Sequence, residues 1–217
     1  MVRKLLEDVQ NMYTCKKVDI GVFDTVKAEG STFHIEAYDA QGMGRVTLIE
    51  MTGFLKLWRA ESFFITPLDK DAPVFYYHRH GRKGNDVLKI EIINTWLKRV
   101  ELEELNAVKE KHASVPEAED VEEWYEDMRL PQTTLKRVKK EEAAVLDAVT
   151  EDYFAAYMRE VEKSKECERS QKKQKVEKLI KGLAEQSGMA IVQFFLAYYD
   201  HKVAAKLCTD VLFGTRP

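Results

Sequence analysis

A tyrosine and two histidines occupy alternate positions of one short segment, at Tyr76, His78 and His80. Successive side chains of a β-strand point to opposite faces, so on a strand these three residues would share one face. An imidazole titrates near neutral pH and can donate a proton, accept one or bind a metal ion. Zinc needs three or four close ligands, and only two histidines are close here. The segment therefore predicts a polar, partly wetted sheet face or a ligand-facing one, and no metal site.

A single carboxylate, Glu50, ends the apolar segment that begins at Arg45. If the surroundings of Glu50 were apolar, burial would raise its pKa and the carboxyl could donate a proton. The alternative is an ordinary salt bridge at the end of a strand.

Several catalytic and binding motifs are absent from the sequence. Neither GxGxxG nor GxxxxGK followed by Ser or Thr occurs, which excludes the two common phosphate-binding loops. There is no GxSxG turn, and spacing ties no cysteine to a histidine, so nucleophilic hydrolysis has no support. The three cysteines, Cys15, Cys167 and Cys208, are odd in number and far apart, which predicts reduced thiols.

The elements that would position these side chains begin with a predicted antiparallel sheet over residues 18–94. β-Branched and aromatic runs alternate with short glycine-containing links, and such links join antiparallel neighbours only. About six strands are predicted. They are Val18–Val26, Thr32–Tyr38, Gly44–Met51, Leu55–Ile65, Val74–His80 and Val87–Ile93.

Helical periodicity precedes and follows this region. A segment with Pro116 and many acidic residues, Ala113–Pro131, is predicted to be a loop with one short helix, and Gly182 and Gly188 are predicted to end helices. The predicted helices are Val2–Tyr13, Trp96–Lys111, Glu141–Glu168, Lys172–Gln186, Gly188–Tyr199 and Asp200–Leu212.

A sheet followed by helices predicts an α+β fold, an α/β/α sandwich with a central antiparallel sheet and a helical C-terminal half. A length of 217 residues suits one domain, 1–217. Within it we expect an N-terminal helix in residues 1–17, the sheet in residues 18–94 and helices in residues 95–217.

The overall composition limits the partners. With 45% hydrophobic and 33% charged residues the chain is of globular type, and a formal net charge of -3 gives no reason to expect nucleic acid. The longest apolar stretch, Met189–Tyr199, is too short for a membrane span, and the N-terminus lacks the apolar region of a secretory signal, so we expect a cytoplasmic protein. The basic run Lys163–Lys181 predicts a solvated helix face or a docking surface for an acidic protein.

Four segments, taken in order, resemble the ferredoxin-dependent bilin reductases and their relative, red chlorophyll catabolite reductase. The similarity lies in the ordered set and its intervals, over about residues 30–94 and 145–214. The segments are His34–Tyr38 (HIEAY), Gly44–Glu50 (GRVTLIE), Pro67–Phe75 (PLDKDAPVF) and Asp210–Gly214 (DVLFG).

The resemblance implies an α/β/α sandwich in which a tetrapyrrole lies between the sheet and the C-terminal helices. Enzymes of this family hold no flavin or metal of their own. They pass single electrons from reduced ferredoxin, an acidic electron donor, to a bound bilin, and side chains supply the protons.

Carried over by position, Glu50 and Arg45 match family residues of the same strand. The central-strand aspartate of the family is replaced by His78, the histidine of the preceding strand falls at Glu61 or Ser62, and the aspartate before the C-terminal helix falls near Gly188. These departures put reduction in doubt, although an imidazole could still deliver a proton, bind haem iron or hydrogen-bond a propionate.

The resulting hypothesis is a bilin-reductase-like protein that binds a bilin or haem and reduces a bound linear tetrapyrrole with electrons from ferredoxin and protons from side chains. Its acid candidates are Glu50 and His78. Its ligand-binding candidates are Arg45, Tyr76, Arg79, His80 and Arg82. The alternatives are a non-enzymatic tetrapyrrole carrier and an interaction module that kept only the fold.

Overall fold

The computed structural model describes residues 1–53, 59–119 and 123–216. The predicted strand start at Leu55 lies outside these ranges, and so does the side chain of Arg82, whose main chain belongs to a strand. No Arg82 contact therefore enters the description of the site.

An eight-stranded antiparallel sheet forms the middle of the protein. Its order is β1-β3-β4-β5-β6-β7-β8, and β2 pairs with the same edge of β3 as β1 does. The strands are β1 (Cys15–Val18), β2 (Thr25–Ala28), β3 (Ser31–Ala40), β4 (Gly44–Thr52), β5 (Arg59–Pro67), β6 (Val74–Arg82), β7 (Asn85–Ile93) and β8 (Thr134–Lys139).

The predicted α+β class and antiparallel meander are confirmed, with more strands than predicted. The predicted strand Val18–Val26 is instead two short strands, because the chain turns at Gly21, whose φ is 55° and whose N–H donates to the Asp19 carboxylate over 2.9 Å. The added strand β8 follows Pro131 and pairs with β7, where Leu88 lies opposite Lys136.

Helices cover both faces of the sheet. Buried residues of α1, α2 and α3 form one apolar core with one face of the sheet, and buried residues of α4, α5 and α6 form a second core with the other. We call these the α3 face and the α4 face. The helices are α1 (Val2–Met12), α2 (Glu103–Lys111), α3 (Ala143–Lys163), α4 (Arg169–Gln186), α5 (Ala190–Tyr198) and α6 (His201–Lys206), followed by a π-helical turn (Leu207–Leu212).

Two predicted helices are shorter than the periodicity indicates, because hydrogen bonds to the β5–β6 loop hold their ends outside the helix. The Asp71 carboxylate accepts the main-chain N–H groups of Leu97 and Lys98, so the predicted helix from Trp96 begins only at Glu103. After α3 ends at Lys163, the following residues pair with the β5–β6 loop through Asp71 N–H to Lys165 O, 2.8 Å, and the chain crosses to the α4 face.

The basic run that spans this crossover is not one solvated helix face. Lys172 is fully buried, and its ammonium donates to the Ala72 carbonyl over 2.6 Å and lies 3.5 Å from the Asp71 carboxylate. Burial lowers the pKa of Lys172 to about 8. This side chain therefore fixes the start of α4 to the loop between β5 and β6.

The segment from Glu123 to Leu130, which we call the 123–130 segment, lies against α4. A Cβ at Gly182 would come within 2.1 Å of the Trp124 ring, so the indole can pack against α4 only because residue 182 is glycine. Gly182 lies inside α4 and not at a helix end as predicted. The Trp124 indole N–H also donates to the Ser187 carbonyl over 2.6 Å. The 123–130 segment is thereby held over the α4 face.

Candidate functional site

Strand register decides which predicted site residues can meet. Residues paired across strands point to the same face, and neighbours along a strand point to opposite faces. Ser62 pairs with His78, and His78 pairs with Lys89, so these three share the α4 face. Glu50 pairs with Glu61, one position away from this row, and therefore lies on the α3 face.

Glu50 and His78 are thus on opposite faces, and the structure does not bring these two acid candidates into one hollow. The Glu50 carboxylate accepts hydrogen bonds from Arg3 Nε at 3.0 Å and Nη2 at 2.5 Å. The same guanidinium reaches Glu36 at 2.6 Å. Glu50 therefore forms a salt bridge to helix α1 at the end of its strand, which was the alternative expectation for this residue.

Arg79 also lies on the α3 face, away from His78. Its guanidinium donates to Asp86 Oδ2 over 2.7 Å, to the Asp147 carboxylate and to the Ala143 carbonyl over 3.1 Å. These contacts tie β6 and β7 to the start of α3. Because all of its partners are protein groups, Arg79 is not positioned to receive a ligand on the α4 face.

Arg45 lies on the α4 face but already has partners. Its guanidinium donates to the Asp210 carbonyl over 2.8 Å and to Asp39 Oδ1 over 3.0 Å, and the side chain is almost fully buried. A cation at the C-terminal end of a helical segment satisfies carbonyls that have no helical partner. Thr47 adds a hydrogen bond of 2.8 Å to the Val211 carbonyl. The pair fastens the π-helical turn to β4.

Tyr76 lies on the α4 face within the core. Its ring stacks on Phe64 with centroids 4.6 Å apart, and burial raises the pKa of its hydroxyl. Its ring is therefore part of the packing beneath α4 and not an open surface for a pigment.

His78 is buried between Tyr76 and His80, with ring centroids 6.3 Å and 5.2 Å away. Its Nδ1 lies 2.9 Å from the Ser62 hydroxyl. The space beside the ring measures about 10 Å³, room for at most one water. Burial, reinforced by the nearby His80 and Lys89, lowers the pKa of His78 to about 3. The imidazole is therefore neutral at neutral pH.

An open groove of about 670 Å³ begins next to His78, on the same face of the sheet. A cross-strand row of His80, Val87 and Arg137 forms part of its floor, and the next row adds Lys89 and Leu135. This volume is typical of sites for small organic ligands. The rest of the lining comes from Lys83, Asn85, Ala118, Glu119, Glu123 and, on α5, Gln193.

The groove carries cations that lack protein carboxylate partners. Lys83 and Arg137 are exposed, and within the described ranges neither side chain forms an ion pair. Lys89, at the inner end of the floor, is mostly buried. Because Lys89 is paired with Glu91 and Glu123, Lys83 and Arg137 are the groove cations that have no carboxylate partner among the described residues. The groove can therefore attract an anionic ligand.

Behind Lys89 lies a buried carboxylate that the sequence analysis missed, Glu91. Its Oε1 is 2.8 Å from Lys89 Nζ and 3.3 Å from Arg129 Nε, and its Oε2 accepts the Tyr125 hydroxyl over 3.1 Å. Burial raises the pKa of Glu91, against the effect of these partners. A signal exists in the sequence: Lys89 and Glu91 are charged residues at alternate positions of an apolar strand, which places both on one face.

No group of three His, Cys, Asp or Glu side chains within the described ranges is arranged to hold a metal ion. Of the helices in those ranges, none combines the length and the apolar character that a bilayer span requires.

Comparison with known proteins identifies the fold. Neither a protein-family model nor a curated protein matches the chain. Among solved structures, the crystal structure of phytochromobilin synthase from tomato in complex with biliverdin matches with a TM-score of 0.78 and 11% sequence identity, over 99% of this chain and 82% of that one. The chain therefore has the fold of that enzyme, and the sandwich fold implied by the resemblance is confirmed.

The buried, neutral His78 predicts a specific loss of stability in acid. The unfolded chain binds a proton at this residue below pH about 6.5, whereas the folded chain resists it down to about 3, so stability falls as the pH drops through that window. Between about pH 7 and about pH 5 the free energy of unfolding should fall by about 2 kcal/mol through this group alone. Urea unfolding of wild type and His78→Asn at both pH values measures it.

In His78→Asn, the part of the fall in unfolding free energy that comes from protonation of His78 should be absent. His34→Asn, at an exposed position, controls for removal of an imidazole from the surface. Equal pH dependence in wild type and His78→Asn would contradict the buried, neutral state of His78.

Proposed function

We propose that this protein binds a linear tetrapyrrole in the groove on the α4 face. The observation that carries the proposal is the groove itself, about 670 Å³ over β6, β7 and β8, beside the buried His78. The fold shared with a phytochromobilin synthase crystallised with biliverdin supports a pigment of this class. Binding is the part of the hypothesis that the groove supports best.

Charge supports the proposal as well. A bilin carries two propionate carboxylates, and hydrogen bonds between a guanidinium or ammonium and a carboxylate are among the strongest in proteins. Arg137 and Lys83 are exposed cations that line the groove, so a bound propionate would give them a carboxylate partner. They take the role that the sequence analysis gave to Arg45 and Arg79, whose guanidinium groups hold protein partners instead.

The apolar floor suits the conjugated part of the pigment. Val87 and Leu135 lie between the polar side chains of the groove, and the His80 ring lies at its edge. Small-molecule sites combine such apolar area with a few placed polar groups. The flat pyrrole rings would lie on this floor, with one carboxylate turned toward Arg137 and Lys83 and the other toward Lys89.

His78 has a different role here from the proton donor first expected. A group donates protons efficiently when its pKa is close to the working pH, and the pKa of His78 is about 3. The neutral ring does not itself line the groove and acts on a ligand only through the neighbouring His80 ring, whose centroid is 5.2 Å away. We assign it to orientation of the pigment, with Ser62 fixing the ring through Nδ1.

Reduction of the bound bilin is the second candidate function. The feature that favours it is the buried Glu91, a carboxyl on the same face as the groove whose pKa is raised by burial. Electrons would come from ferredoxin or a similar acidic protein, as the resemblance to the bilin reductases implies. A mixture of protein, biliverdin, reduced ferredoxin and ferredoxin reductase should then shift the visible absorption within minutes. An unchanged spectrum with bound pigment would leave binding and reject reduction.

Charge reversal in the groove tests the binding site. Titration of the protein with biliverdin, followed by visible absorption, should saturate, and Arg137→Glu or Lys83→Glu should each weaken binding by about tenfold or more, because a charged hydrogen bond is lost and a repulsion gained. The matched control is Lys175→Glu on the exposed side of α4, which should bind as wild type does.

Two results would count against the proposal. Absence of saturable binding by the wild type would reject tetrapyrrole binding. Binding that is equally tight in all four proteins would reject the groove as its location.

A further inference from the structure

We infer that Glu91 takes up a proton when an anionic ligand enters the groove, with Lys89 as the link between the two. The inference rests on the proposed function and adds a property of the same site: binding and protonation are coupled. The buried carboxyl thereby becomes a proton reserve one side chain away from the ligand.

The geometry places Lys89 between the two partners. Its ammonium is 2.8 Å from Glu91 Oε1 on the inner side and 3.6 Å from Glu123 Oε1 at the groove wall. Glu91 itself is fully buried, whereas Lys89 keeps 17% of its side chain exposed and lines the groove. A carboxylate in the groove therefore meets Lys89 first and reaches Glu91 only through it.

Among the described residues, the cations of this cluster do not outnumber its carboxylates. Two carboxylates, Glu91 and Glu123, face two cations, Lys89 and Arg129. Arg129 is already shared, because its Nη1 also binds Glu126 over 2.6 Å. One added carboxylate leaves the cluster with excess negative charge in surroundings that screen charge poorly.

The other titratable side chains that face Glu91 among the described residues do not take up this proton. Tyr76 pairs with Glu91 across β6 and β7, and Tyr125 donates its hydroxyl hydrogen to the carboxylate. Burial raises the pKa of both phenols, so they stay protonated. Burial lowers the pKa of His78 to about 3, so it stays neutral. Glu91 is the buried group on which a proton offsets the added negative charge.

Competition for the Lys89 ammonium drives the change. A ligand carboxylate within hydrogen-bond distance of Nζ draws the ammonium outward, and Glu91 then retains only the shared Arg129 and the neutral Tyr125 hydroxyl. A buried carboxylate that loses a counter-cation has a higher pKa, because its charged form is left poorly solvated. The proton comes from solvent, and no bond of the ligand is broken.

Calorimetry measures the coupling directly. Biliverdin is titrated into the protein at the same pH in two buffers with different ionisation enthalpies, and the difference in observed heat gives the protons exchanged. We expect uptake of about one proton per bound ligand in wild type. Glu91→Gln should bind with little uptake, and Glu177→Gln, on the exposed side of α4, should keep the wild-type value.

Infrared difference spectra of wild type supply a readout that needs no variant. A protonated carboxyl band should appear on binding, and if Glu91→Gln does not fold, a shift of this band in Glu91→Asp assigns it to residue 91. Binding without proton uptake overturns the inference and leaves the proposed function in place. Uptake that persists without the Glu91 carboxyl, or disappears in His80→Asn instead, also overturns it. Absence of binding overturns both.

Discussion

The alternation of side chains along β4 to β7, and the register that pairs these strands, is the constraint on which the site depends. Ser62, His78 and Lys89 form one cross-strand row on the α4 face, and Tyr76 and Glu91 form the next. A slip of one residue would move all of these groups to the α3 face. The register is fixed because each face contributes a different set of apolar side chains to its own core. A slip by one residue in either direction would disrupt both cores.

The α4 face combines two tasks that have opposite requirements. Toward α4 and the π-helical turn it is a closed core, sealed by Phe64, Tyr76 and the buried Arg45. Toward β8 it opens into a polar groove. The buried Glu91 lies at the border, where it binds Lys89 from the groove and Tyr125 from the 123–130 segment. Glu91 thus helps to hold the 123–130 segment in place, and Lys89 lies between Glu91 and the proposed ligand.

Much of the architecture could be predicted from the sequence, because periodicity and turn residues report on local structure. The central strands β3, β4, β6 and β7 lie where the alternation and the glycines indicate. The exceptions have long-range causes: Asp71 holds the segment before α2 outside the helix, and Lys172 is buried by the β5–β6 loop. Neither contact leaves a trace in local composition.

The site was harder to predict than the fold. Alternation correctly grouped Tyr76, His78 and His80 on one face. Whether Glu50 shares that face depends on how β4 and β5 are aligned with β6, and only the strand register determines this. The alternation of Lys89 and Glu91 marks a shared face, but only the pairing of β6 with β7 shows that this face is the one that carries His78. Lys83 and Arg137 come from separate strands or turns and meet only through the pairing of β7 with β8.

The structure of the protein with biliverdin bound tests the central claim most directly. We expect the pigment on the floor formed by Val87 and Leu135, with one propionate within hydrogen-bond distance of the Arg137 guanidinium and a ring beside His80. A pigment bound on the α3 face, or at a position that leaves this groove empty, would contradict the account.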